Sequence, residues 1–574
     1  MKPVLILGAG INGAAVAREL AINGVPVCIV DTGDVAGGAT SRSSRLIHGG
    51  LRYLEYRDTT LVRESLIERE RLLKLAPHFV KPLRLTIPVE HRFGGLWGGF
   101  VRFSGLARTS LGQELLKFGR GPRGLIAIKA GLTMYDRLAR SDKMPPHKVE
   151  SFAAGTSGST SSVSSVAPQV SQRFRWLCSY SDAQIEFPER FVLAMLEDAR
   201  RAAEANDTMF EILPYHKAVA SESSAEISIV PVDDDRSTGN TDQQKTITPS
   251  VVINATGAWG DRTLEALGLK ERPLFAGTKG SHLFTNHPPL VDAQNGNGIY
   301  AEADDGRLIF ILPCAAGVLI GTTDEPFEGD PGNAVATPHD VDYLLQMVAG
   351  VFPDVGLTID QVSMHHAGVR PLPKNDGGPT AAVPRGHSIE ETTLNGVPIL
   401  TLVGGKLTTC RSLAEEVSHR VCGHQNHPQS HSTIDRPLPG APAVGDHFLT
   451  EEQLSRLAED YNLTTKQAAA VWPLIGNRFD EVFTTENNDS LAGTDIPQSF
   501  VRWSIKHEWC TKLEDLVERR LMLIFQPTIH RATLEQLAIE LVRAGRLAEC
   551  EVDAEVDKVC RRLSKFYGRT VASD

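Results

Sequence analysis

Residues 4–31 read VLILGAGINGAAVARELAINGVPVCIVD, and the fold class turns on them. The pattern predicts a buried strand, a tight glycine turn, an amphipathic helix and a second strand ending at Asp31. Gly8, Gly10 and Gly13 have the GxGxxG spacing. The first glycine makes the turn, the second lets a pyrophosphate approach the backbone, and the third lets helix pack on strand. Phosphates would then sit at the positive end of the helix dipole, and Asp31 would accept a hydrogen bond from a ribose hydroxyl. A lone GxGxxG is weak. One that begins at residue 8, between two strands and with an acid at the tip of the second, is specific for dinucleotide binding.

Working outward, the next stretch is GGATSRSSRLIHGGLRYLE, residues 37–55. Small hydroxyls, arginines, a histidine and paired glycines make a poor core and a good surface for anions. Three later glycine turns are similar to the first. They are NATGAWGD at 254–261, IGTTDEPFEGDP at 320–331 and VGGKLTTCR at 403–411. Each follows an apolar strand, and the last leads into a helix. Such turns expose backbone amides to phosphate or ring carbonyl oxygens. Any one is explained as a structural turn, whereas four in one chain point to one ligand touched from distant segments.

Composition bounds the alternatives. A chain of 574 residues has room for two or three domains. Its 41% hydrophobic and 22% charged content is that of a globular protein, and a formal net charge of −11 argues against generic nucleic-acid binding. Eight scattered cysteines without a CxxC pair suggest neither a disulfide framework nor a metal site. The opening PVLILG lacks the basic start and cleavage site of a secretory leader, and no apolar run approaches the roughly 20 residues that span a bilayer. Any membrane contact is therefore expected to be peripheral.

One stretch stands apart from this acidic background. Residues 91–130 hold Arg92, Arg102, Arg108, Lys117, Arg120, Arg123 and Lys129 against Glu114, interleaved with Phe93, Leu96, Trp97, Phe100, Val101 and Phe103. Basic residues mixed with aromatics suggest docking on an anionic membrane surface; the plainer reading is a loop with some aromatics tucked into the core. Residues 151–172 are Ser-rich and read as a surface excursion, and 232–245 as a hairpin tip. Phe191, Leu193, Met195, Leu196 and Ala199 have helical spacing, a further helix is expected at 334–352, and from 449 onward the pattern is helical.

The motifs GAGINGAAVARELA, ATSRSSRLIHGGLRYLE, NATGAW, KGSH, IGTTD, GVRPL and GGKLTTCR together resemble the FAD-dependent glycerol-3-phosphate dehydrogenase family, within the glycine/D-amino-acid oxidase-like flavoproteins. They run in order through residues 4–411, and HEWCTKLEDLVERR at 507–520 is similar to that family's helical domain. The resemblance implies an α/β fold in three parts. These are a discontinuous Rossmann-like FAD domain (1–80, 183–262 and 362–425), a substrate domain on an antiparallel sheet (81–182 and 263–361) and an all-α domain (445–574).

It also implies roles for individual residues. Cofactor contacts fall on Gly8, Gly10, Asn12, Gly13, Asp31, Thr40, Ser41, Ser43, Ser44, Gly49, Ala255, Thr256, Gly257, Thr322, Gly404, Gly405, Lys406, Leu407 and Thr408. Substrate contacts fall on Arg52, Tyr53, Arg370, Arg385 and Lys406, and catalytic roles on His48, His282 and Arg370. His365, His366 and His387 are set aside as structural or exposed. The implied reaction oxidises sn-glycerol 3-phosphate to dihydroxyacetone phosphate, with hydride passing to FAD and electrons to a membrane quinone. Oxygen as acceptor and a non-catalytic flavin-binding redox sensor are the alternatives. The chain would then be cytoplasmic and peripheral to the inner face of the cell membrane, with a homodimer left open. Two positions depart from the family: Arg45 stands where lysine is common, and Cys410 where an aromatic is usual.

Overall fold

The computed structural model describes residues 1–56, 58–93, 123–139, 144–151, 167–232, 244–269, 272–302, 307–374, 386–442, 447–483 and 488–573. Most of the basic-aromatic stretch, most of the Ser-rich excursion and the tip at 233–243 lie outside them.

Strand β1 (Val4–Leu7), helix α1 (Ile11–Ile22) and strand β2 (Val27–Asp31) form where the sequence expects them. β1 is fully buried, because parallel neighbours flank it on both sides: β2 on one, Val251–Asn254 on the other. The six-stranded sheet runs Ser388–Leu394, Val397–Val403, Val251–Asn254, β1, β2, Phe210–Pro214. All its pairings are parallel except that of the two strands at the Ser388 edge. The chain thus lays down the central strands first and collects their neighbours from far along the sequence.

Against α1 pack the helices Pro188–Ala205 and Cys410–Gln425. Alanines at 14, 15, 17 and 21 of α1 are all buried, and small side chains let the helices approach closely. Phe191, Leu193, Met195, Leu196 and Ala199 are likewise buried. The Arg18–Asp198 ion pair, 2.7 Å long and buried, ties α1 to the longer neighbour.

A larger sheet carries β3 (Val80–Val89), β4 (Trp176–Ile185), β5 (Phe275–Thr285), β6 (Gly298–Glu302), β7 (Leu308–Cys314), β8 (Gly317–Gly321) and β9 (Met364–Pro373). It is antiparallel apart from the β3–β6 pairing. The expected helix near 334–352 is Pro338–Val351, started by a Thr337/Asp340 capping box.

C-terminal helices at Glu451–Asp460, Thr465–Ile475, Gln498–His507, Arg531–Arg543 and Val552–Tyr567 follow. Their core, around Trp472, Phe479, Phe500, Leu534 and Leu563, continues into Phe284 and Met364 of the large sheet. Arg190 and Glu508 add a buried bidentate ion pair at 2.6 and 2.7 Å.

Gly13 shows how tightly the first turn is packed. A Cβ there would lie 1.9 Å from the Gly8 carbonyl oxygen. Gly13→Ala should therefore force β1 and α1 apart and cost about 1–3 kcal/mol of stability, read as a lower urea midpoint. A midpoint equal to wild type would mean that the turn is looser than the packing shows.

Candidate active site

The first glycine turn meets the second and fourth, and Trp259 Nε1 of the second donates to Asp330 of the third at 3.2 Å. Gly8 has φ +102°, and a Cβ on it would sit 2.7 Å from the Ala255 carbonyl. Gly405, at φ +95°, faces Asn12, whose Nδ2 would be 2.6 Å from an added Cβ. Thr40 Oγ1 accepts from the Ile11 amide at 3.0 Å, joining the 37–55 stretch to the start of α1. Asp31 accepts from the Ala9 amide through Oδ2 (2.7 Å) and from the Gly33 amide through Oδ1 (2.8 Å), so it braces the turn that it closes. Burial raises its pKa, and the two amides oppose that rise. Helix α1 starts at Gly10 with no side-chain cap and no acid in its first turn, leaving its positive end available to an anion.

Further along the same stretch the side chains divide. The Ser41 and Ser43 hydroxyls donate within their own loop, to the carbonyls of Gly38 and Thr40 at 3.1 Å each. Ser44 Oγ reaches His282 Nε2 across 3.0 Å. Arg45, in the left-handed region at φ +59°, turns inward and forms a fully buried bidentate pair with Glu189 (2.7 and 3.1 Å). Its planar fork suits that pair better than a lysine would. Cys410 is also buried, in the core beneath the six-stranded sheet.

His48, Gly49 and Gly50 come next. The His48 amide donates to Thr408 Oγ1 at 3.2 Å. The Gly49 amide donates to Tyr135 Oη at 3.0 Å, and Asp182 accepts from both Tyr135 Oη (2.8 Å) and Arg69 (2.7 Å). All three of these supporting side chains are buried. Sequence reading missed them. A lone acid inside the apolar strand β4 was the available signal, since a charge there needs a partner. Gly50 has φ +77°, and Tyr53 packs where its Cβ would be. Lys406 Nζ lies 3.9 Å from the Tyr53 ring centroid.

On the large sheet, Arg370 donates to Thr322 Oγ1 (2.9 Å), the Thr323 carbonyl (3.3 Å) and Asp324 (3.0 Å). Gly280 leaves room for it: an added Cβ would be 2.3 Å from its Nη2. His282 is two residues further on the same strand, and its ring stacks on His366 at 5.1 Å. His366, expected to be structural or exposed, is structural: it is buried directly against a candidate site residue. His365 instead faces Gly568 of the helical domain, and His387 lies 3.3 Å from Glu416. Arg385 lies outside the described residues.

Two histidines are held neutral. Burial pushes His48 down to about 4, with Lys406 and Arg69 adding to the effect and Asp182 opposing it. Burial, then the charges of Arg370 and Arg45, pushes His282 down to about 3. A neutral ring offers a lone pair to a hydroxyl hydrogen, but burial and the nearby cations make both rings weaker bases than free imidazole, so a proton moves to either only where negative charge on a bound substrate offsets those cations. Arginine and lysine suit a phosphate or carboxylate.

A cradle of glycines against an open helix start, with a carboxylate at the tip of the next strand, defines a flavin- or nicotinamide-dinucleotide oxidoreductase of the doubly wound class. The chain belongs to the FAD dependent oxidoreductase family, whose profile matches residues 3–411. It is an enzyme, and FAD is its cofactor. The residues present fit FAD: Gly8 and Gly13 exclude side chains from the turn, and the Asn12 Oδ1 atom is buried with no hydrogen-bond partner among the described residues.

A glycerol-3-phosphate dehydrogenase of a Synechocystis strain is 33% identical over 459 residues, 77% of this chain and 73% of that one. A D-erythritol 1-phosphate dehydrogenase of Brucella abortus is 29% identical over 525 residues, 90% of this chain and 93% of that one. The FAD-complexed glycerol-3-phosphate dehydrogenase structure from Bacillus halodurans shares the fold. It has a TM-score of 0.69 and 20% identity, with 99% of this chain and 95% of that chain covered.

Burial of His282 has a consequence for acid stability. Above about pH 6.5 the ring is neutral in folded and unfolded chains alike and contributes no slope. Below that, the unfolded chain takes a proton that the folded chain refuses until about pH 3. Stability should fall by about 1.4 kcal/mol per pH unit from this group. His282→Asn should remove that share of the slope between pH 6 and 4 in urea titrations. A slope identical to wild type would show that the folded ring titrates normally.

Proposed function

We propose that the chain oxidises sn-glycerol 3-phosphate to dihydroxyacetone phosphate. Support comes from two groups of cations and neutral histidines: Arg370 beside His282 on the large sheet, and Lys406 of the last glycine turn beside His48 and Tyr53 of the 37–55 stretch, whose Ser44 reaches His282. Arg52 belongs to the same stretch, and Arg385 carries its proposed substrate role from the motif alone. A phosphomonoester carries close to two negative charges, and several cations match it better than they match a single carboxylate. FAD, when bound, supplies the hydride acceptor. The protein's own part is to fix the phosphate with Arg370, Arg52 and Lys406, and to take the hydroxyl proton on His48 or His282. Arg370 also stabilises negative charge on the substrate oxygen. Gly49 and Gly50 do not face an open gap between cofactor and substrate, as their family roles would imply: Tyr135 and Leu66 fill the place of a Cβ at Gly49, and Tyr53 fills it at Gly50. The residues proposed to touch the cofactor are those of the four glycine turns and the Thr40–Ser44 loop.

The electrons pass to a membrane quinone in this reading. Among the described residues no helix is long and apolar enough to cross a membrane; in this reading contact is by docking on the inner face. Trp97, Phe100 and Phe103 lie outside the described residues. The described edges of the basic stretch support it: Phe93 is 68% and Ile126 42% exposed, and Lys129 is exposed. The domain division is proposed at 1–80, 81–182, 183–262, 263–361, 362–425 and 445–574, with the boundary at 362 moved past Pro373, because Met364–Pro373 pairs with β5 in the large sheet.

Anaerobic mixing tests the reaction. Glycerol 3-phosphate should bleach the flavin absorbance, and glycerol should not. Arg370→Ala should lower kcat/KM about 100-fold, the loss of a charge-assisted contact worth about 3 kcal/mol. Erythritol phosphate belongs in the same series. Faster bleaching by it would move the substrate to a four-carbon polyol phosphate, and equal bleaching by glycerol would sink the phosphate reading. Turnover with a long-chain quinone against oxygen decides the acceptor.

A further inference from the structure

The loop that leaves β2 is held from two sides. On the cofactor side Asp31 braces Ala9 and Gly33, the Ala36 amide donates to the Ala9 carbonyl at 3.0 Å, and Thr40 meets the Ile11 amide. Asp34 points the other way, into the helical domain, and is 3% exposed. Its carboxylate accepts from Arg519 Nε (2.5 Å) and from both terminal nitrogens of Arg520 (2.6 and 2.7 Å). These consecutive arginines end a π-helical turn, Leu516–Arg520, a local form common at functional sites.

The contacts extend on both sides of Asp34. Arg519 also pairs with Asp515 (3.2 Å) and Glu518 (2.7 Å). Glu518 takes Arg562 and the Tyr567 hydroxyl as well. Tyr215 hydrogen-bonds Asp515 and donates its amide to the Gly33 carbonyl at 3.1 Å. Arg42, between Ser41 and Ser43, lies 4.4 Å over the Tyr567 ring. Gly33, Asp34 and Arg42 are therefore all backed by side chains whose other contacts are in the helical domain.

Three carboxylates (Asp34, Asp515, Glu518) face three arginines (519, 520, 562) here. Burying five of these charges, with Arg562 at the partly exposed rim, is a costly way to dock two domains, because apolar side chains of similar size do it as well or better. What such a network adds is fixed geometry at its ends. Its inner end is the loop that completes the dinucleotide turn. We infer that the helical domain is a working part of the FAD site: Arg519 and Arg520, acting through Asp34, are positioning residues that hold residues 32–42 in the form that receives the cofactor.

Coupling of this kind is reciprocal, so FAD must in turn order the arginine turn. Hydrogen exchange on the full chain, with and without FAD, reads this without any substitution. Adding FAD should slow exchange at residues 513–520 as well as at 8–13 and 32–42. Protection confined to the glycine turns and the 32–42 loop would overturn the inference. A pair of variants gives an independent reading. Asp34→Asn should raise the FAD dissociation constant of the apoprotein about tenfold. Gln467→Ala removes bonds inside the helical domain, to the Asn488 carbonyl (2.6 Å) and Ser490 (3.0 Å). It should lower Tm while leaving FAD affinity within about twofold. Equal weakening of FAD binding by both variants would reduce the network to ordinary domain stability and also overturn the inference.

Discussion

Backbone meets backbone where the first glycine turn touches its neighbours, and the rest of the site depends on that contact. Gly8 leaves no room for a side chain against Ala255, and Gly13 leaves none against Gly8. Both contacts exist because β1 sits between β2 and Val251–Asn254 in parallel register, with Asn254 beside Leu7 and Val30 on the other flank. Parallel pairing brings the strand ends, and the turns that follow them, to one edge of the sheet. Everything placed at that edge, from Asp31 to Gly405, depends on those two glycines having no side chain.

Buried charge is handled in pairs throughout. Arg45 with Glu189, Arg69 with Asp182, Arg190 with Glu508 and Arg520 with Asp34 each join segments more than a hundred residues apart. An isolated buried charge is costly, so each pair fixes where two remote segments must lie. Asp182 does more than neutralise Arg69, since it also orients Tyr135 toward the Gly49 amide. The arrangement around His48 is thus set from β4 and from the helix Leu125–Ala139, neither of which carries a site motif.

Local pattern made the site's inner half legible. Gly8, Gly10, Gly13 and Asp31 announce themselves by spacing, whereas roles for Thr40, Thr322 and Lys406 came from the family resemblance of their motifs. The supporting residues were not legible, for a physical reason. Asp182, Arg69 and Asp34 matter through partners that sequence places 113 to 486 residues away. His366 reads on sequence as structural or exposed; that it is a buried support for His282 was not legible, because nothing in its local sequence shows that β9 lies beside β5 in register with His282.

The sequence by itself determined the dinucleotide core, because strand, glycine turn, helix and acid are short-range features that impose their own geometry. It also pointed to the glycine turns and the Arg- and Ser-rich stretch as places suited to anions, although Arg45 of that stretch turned out to be buried. Tertiary structure decided how they combine. Only the folded chain brings Ser44 to His282, Thr408 to His48 and Arg370 to Thr322, and only burial with the nearby cations keeps the two histidines neutral far below their usual range. It also decided that the last hundred residues reach back to a carboxylate three positions after Asp31. Long-range pairing of charges has no local signature, because its energy depends on exclusion of water that the fold alone provides.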